Sequence, residues 1–147
     1  YALLKCDETL NNMELLADFW ENVYNQSDEF FSERVLRRLF VLNYAPNGMW
    51  TYILSVYFLQ NRNEKDENRL DEERLYNFLC RLTAFIWAYA ITNPGVNALR
   101  TPVYAEMVNL VNGSLDLNMS VIEVVVIKTR TIKPNASNYN IRFNIYL

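Results

Sequence analysis

Glu14, Asp18 and Glu21 recur at i, i+4 and i+7. That spacing puts three carboxylates on one face of a helix, where they could hold a divalent cation or work as an acid–base pair. A water-facing stripe is the simpler reading, because Phe19 and Trp20 fall on the other side. Asp71, Glu72 and Glu73 open a helical pattern, where acids offset the positive end of the helix dipole, and that role accounts for them. Arg34, Arg37 and Arg38 form the densest cationic group. They are candidate phosphate contacts, since a guanidinium can grip a phosphate with two donors. Glu29 and Glu33 lie within a turn of them, so ion pairing along the helix is the stronger expectation. A second group, Lys128, Arg130 and Lys133, lies beyond the last acid, Glu123, with Arg142 further on. A cationic tail of this kind can touch a nucleic-acid backbone, though a solvated surface is the more ordinary role. Among the 21 aromatic residues (8 Phe, 10 Tyr, 3 Trp), Tyr44, Tyr139 and Tyr146 are least explained by a core and most available for base stacking.

The residue types that are missing set limits. The 147 residues include no histidine, so no Ser-His-Asp or Cys-His nucleophile system and no histidine-ligated metal can be assembled within this chain. Three glycines leave little material for a phosphate-cradling loop, and no P-loop, dinucleotide fingerprint or CxxC pair is present, so no cofactor is expected. Cys6 and Cys80 are too far apart for a metal knuckle and too few for a disulfide framework, which favours a reducing, cytoplasmic setting. Asn-X-Ser triplets at Asn25, Asn112, Asn118 and Asn135 are discounted, because a chain with 19 asparagines produces them by chance. The net charge of −3 divides into −6 over residues 1–80 and +3 over residues 81–147, so the chain as a whole has no polyanion-binding balance. The longest apolar run, Leu82 to Ile91, is too short for a membrane span. The first residue is not Met, so a domain of a longer protein is expected.

These residues need elements to position them. From Asn11 to Tyr24, Leu15, Leu16, Phe19, Trp20, Val23 and Tyr24 make the stripe of an amphipathic helix. Ser27 can cap a second helix with Asp28 and Glu29 in its first turn and a core face of Phe31, Val35, Leu36, Leu39 and Phe40. Pro46-Asn47-Gly48 predicts a turn, and Met49 to Gln60 is apolar nearly all round, as in a buried central helix. After a polar loop from Asn61 to Arg69, Asp71 caps a helix running to Thr92, with Leu70 and Leu75 as its hydrophobic staple. A last helix begins either at Thr101-Pro102 or near Asn97, carries Val103, Met107, Leu110 and Val111 on its face, and stops at Asn112-Gly113. Residues 114–147 are harder to read. Val121 to Ile127 is β-branched and Tyr139 to Leu147 alternates, so these segments either pair as a small β-like appendage or are helices. The expected architecture is a single mainly α domain over residues 1–147, a bundle of five to six helices.

A resemblance emerges from Phe78-Leu79-Cys80-Arg81-Leu82 through Phe85-Ile86 and Tyr89, then Leu99-Arg100, Tyr104, Leu110-Val111-Asn112-Gly113 and Asn138-Tyr139-Asn140-Ile141-Arg142. Across about residues 11–147 the pattern resembles the helical middle region of large bacterial proteins related to the GmrSD modification-dependent restriction enzymes. In those proteins a ParB-like nucleotide-using domain precedes that region and an HNH nuclease domain follows it. The resemblance implies a connecting or partner-contacting domain of a phage-defence protein. The family's Asp-Gly-Gln-Gln-Arg and His-Asn-His motifs are absent, so no catalytic residue carries over. The function expected is a non-catalytic scaffold or interaction domain whose partners are other domains of the parent chain. The alternatives are a nucleic-acid-binding module using either Arg34, Arg37 and Arg38 or the cationic tail, and a homo-oligomerisation domain.

Overall fold

The computed structural model describes residues 7–66, 68–92, 97–115 and 117, and among them the chain is a bundle of five helices with no strand. The helices are α1 (Asp7–Tyr24), α2 (Glu33–Asn43), α3 (Trp50–Asn61), α4 (Glu72–Thr92) and α5 (Arg100–Val111). α2 packs on α4, α3 on α5, and α1 on α3. The segments Val121 to Ile127 and Tyr139 to Leu147 lie outside the described residues. Of residues 114–147 the described ones are Ser114, Leu115 and Leu117; Leu115 packs against the core and Leu117 is buried within it.

α1 is already helical at Asp7, four residues before the apolar stripe predicts. Asp7 and Glu8 supply the acidic first turn, whereas Leu10 and Met13 face solvent and so give no periodic signal. Phe19 and Val23 are buried, while Tyr24 is 73% exposed. Phe19 stacks on Phe58 of α3 at 4.3 Å and meets Phe31 edge-on at 5.9 Å. Trp20 Nε1 donates to Ser55 Oγ at 3.0 Å, satisfying an indole that packs against Trp50.

The start of α2 differs from the sequence expectation. Ser27 closes a turn through its carbonyl, which accepts the N–H groups of Phe30 and Phe31, and the helix begins six residues later at Glu33. Phe31 therefore enters the core from a turn. With the helix starting there, Val35, Leu39 and Leu42 take the buried face and Phe40 is left exposed, with Tyr44 edge-on against it at 5.1 Å. The predicted turn forms as a 3-10 turn, Pro46–Gly48, with Asn47 and Gly48 both at positive φ. α3 buries Trp50, Ile53, Leu54, Tyr57 and Phe58, but Tyr52 is 56% exposed, so it is central without being covered all round.

The polar loop before α4 is tied together by an antiparallel bridge between Asn63 and Arg69, with Asn68 in the left-handed region. Asp71 then caps α4 as expected: its Oδ1 accepts the N–H of Arg74 at 2.8 Å, and Leu75 beyond it is buried. Leu75, Phe78, Leu79, Leu82, Phe85 and Ile86 form the buried seam of α4. α5 begins between its two possible starts, at Arg100, after a turn from Asn97, with Leu99 buried ahead of the helix and Pro102 in its first turn. It ends in a Schellman cap. Ser114 N–H reaches Asn109 O, Gly113 N–H reaches Leu110 O, and Gly113 takes a φ of +70°. On α5 the sequence placed Val111 on the core face, but Val111 is 61% exposed and Glu106 is buried in its place, with Asn109 Nδ2 donating to its carboxylate.

Candidate functional site

The three arginines singled out as phosphate contacts project from α2, and each is engaged within the molecule. Arg34 bridges to Glu72 at 2.7 Å and to Glu73 at 2.8 Å, joining α2 to the first turn of α4. Arg37 pairs with Glu33 on its own helix, the i, i+4 contact expected from sequence. Arg38 donates to the Tyr76 hydroxyl at 3.4 Å, and the guanidiniums of Arg34 and Arg38 both lie over the Tyr76 ring, at 4.8 and 5.6 Å from its centroid. The Arg34 guanidinium holds the Glu72 carboxyl below its ordinary range. Hydrogen bonding to Glu73 and Glu72 in turn raises Arg34. Hydrogen bonding to Tyr76 outweighs burial and raises Arg38. Chemically, this is a neutralised clamp between two helices. The other cationic candidates, Lys128, Arg130 and Lys133, lie outside the described residues, as do Tyr139 and Tyr146.

Glu14, Asp18 and Glu21 are all exposed on α1. Among the described residues, no group of three or more Cys, Asp or Glu side chains is placed to share a metal ion. Cys80 is half-buried and unbridged on α4. No helix of the described residues is long and apolar enough to cross a membrane.

Two surface features went unremarked in the sequence. The first is the outer face of α5, where Tyr104, Val108 and Val111 are 68%, 41% and 61% exposed while Val103 packs inward. Their i, i+4, i+7 spacing was legible, but periodicity cannot tell which of two apolar faces meets the core. The second is a depression of about 320 Å³ along α4, flanked by Arg74, Asn77 and Arg81. Its apolar side consists of Tyr57 and Phe78, whose rings stack at 3.8 Å, together with Leu115 and Leu117. Burial raises the Tyr57 phenol above its ordinary value, with Arg74 lowering it and Asp71 raising it, so the hydroxyl is neutral at physiological pH. No carboxylate of the described residues lies within ion-pair distance of Arg74 or Arg81. Three-residue and four-residue steps put Arg74, Asn77 and Arg81 on one helix face, but their relation to Tyr57 and Leu117 depends on tertiary packing that spacing does not encode.

Compared with protein-family models, curated proteins and solved structures, the chain matches none of them.

Proposed function

We propose that the chain is a non-catalytic helical scaffold in the bacterial cytoplasm, the connecting domain of a larger protein of restriction or phage-defence type. Its contact face is the outer side of α5, which meets an apolar surface of a flanking domain. The exposed Tyr104, Val108 and Val111 stripe carries this reading, because apolar side chains grouped in one row on the solvent side of a helix mark a contact surface. The resemblance to the middle region of the GmrSD-related proteins supports a neighbouring domain as the occupant. The internal pairing of Arg34, Arg37 and Arg38 favours scaffolding over nucleic-acid contact on this side of the bundle.

The test is photocrosslinking in cells from Tyr104 and Val108 of the full-length protein, with exposed Glu21 as the control position. Adducts that join α5 to another domain of the same polypeptide, with none from position 21, are the expected result. Adducts to a second copy would replace the scaffold with a homo-oligomerisation domain, and silence at both α5 positions would overturn the reading. Hydrolysis of nucleotides or DNA with added magnesium, lost on Glu14→Ala or Asp18→Ala, would show the domain to be catalytic.

A further inference from the structure

The depression along α4 has the make-up of a small-ligand site, with an apolar wall on one side and a few directed polar groups on the other. Arg74 and Arg81 are seven residues apart, about 10 Å along the helix, a span that two arginine side chains can close by converging over Asn77. Asn77 is oriented by donating through Nδ2 to Glu73 at 3.2 Å. Among the described residues, two acids in and before the first turn of α4, Glu73 and Asp71, adjoin Asn77 and Arg74, and both are engaged. Glu73 is drawn towards α2 by Arg34 at 2.8 Å, and Asp71 is committed to capping α4. Arg74 and Arg81 are thus left with guanidinium charge that no carboxylate of the described residues answers within ion-pair distance. A carboxylate can be satisfied by one bidentate arginine, whereas the three terminal oxygens of a phosphoryl group suit two. The Tyr57–Phe78 stack and the leucines beside it offer an apolar wall for the rest of the molecule.

We propose that this depression binds a small organic phosphate monoester, with its phosphoryl group between Arg74 and Arg81 and its apolar body against Tyr57, Phe78, Leu115 and Leu117. A cavity of about 320 Å³ admits a body no larger than one or two rings. The site is independent of the α5 contact face, so either proposal can fail alone.

The experiment is titration of the whole chain with phenyl phosphate and, separately, with inorganic phosphate, followed by calorimetry and by amide shifts of α4. Phenyl phosphate should bind about tenfold more tightly than inorganic phosphate and more weakly as salt rises. Arg74→Gln and Arg81→Gln should each weaken it by about tenfold, and Arg81→Lys by less, because lysine keeps the charge and loses the fork. All three side-chain changes are at exposed positions, so thermal melts should match the parent. Three outcomes would overturn the proposal: binding of neither probe, binding of phenyl phosphate that survives both Gln variants, or equal binding of the two probes.

Discussion

Arg34 shows how residue type can be legible while its role is not. Sequence spacing offered it phosphate or a carboxylate within one helical turn, and the structure instead gives it Glu72 and Glu73, 38 and 39 residues away, over the face of Tyr76. Arg37 went as read because its partner Glu33 is local. The long-range pair has a pH signature. Arg34 lowers the Glu72 pKa in the folded state below its ordinary value of 4.5. The stability this contributes is fully present above that value and is lost as pH falls through the lower, folded-state value. Thermal melts of Glu72→Gln should therefore lie below the parent at pH 7 and converge with it as pH falls through the acidic carboxylate range. A gap that persists unchanged into strong acid would mean that Glu72 acts through something other than its charge. The pair is exposed, so the difference at pH 7 should be small and should shrink with added salt.

Helix α4 was the most legible element, because its cap and buried seam agree, and consistent local signals specify structure best. The α2 start was misread because Ser27 followed by two acids satisfies the same local rule that Asp71 does. The burial of Phe31 beside Phe19 decided it, and a single sequence does not reveal that long-range contact. The two sites give opposite predictions for the same kind of change. Asp71→Ala removes a side-chain cap and should cost about 1 kcal/mol, seen as a melting temperature a few degrees lower. Ser27→Ala should change stability by less than about 0.5 kcal/mol, since the carbonyl that closes the turn stays in place. At the other end of the bundle, Gly113→Ala forces a Cβ into a φ of +70°, and nothing crowds the position. The cost should then be backbone strain alone, roughly 1 kcal/mol in a denaturant titration.

At the scale of the whole molecule, the aromatic richness that could have meant base stacking is, for most aromatics of the described residues, packing within the bundle. Phe19 and Phe58 stack at 4.3 Å between α1 and α3, and Tyr57 and Phe78 at 3.8 Å between α3 and α4. The mainly α bundle followed from periodicity, but which apolar residues remain outside depends on how the helices are arranged around one another. Tyr24, Phe40 and Val111 were assigned to core faces for that reason and are exposed. This division between inside and outside yields a paired prediction. Phe58 is 1% exposed, and Phe58→Ala should cost about 3–5 kcal/mol, a large share of the roughly 5–15 kcal/mol that holds a domain folded. The double change Tyr104→Ser with Val108→Ser removes comparable apolar bulk from the outer face of α5 and should leave the melt of the chain nearly unmoved. On the proposed scaffold reading, the same double change in the longer protein should loosen the connection to a flanking domain, read as faster proteolysis between domains. If it instead destabilised the bundle itself by several kcal/mol, the stripe would belong to the core, and the contact face proposed for α5 would have to be sought elsewhere.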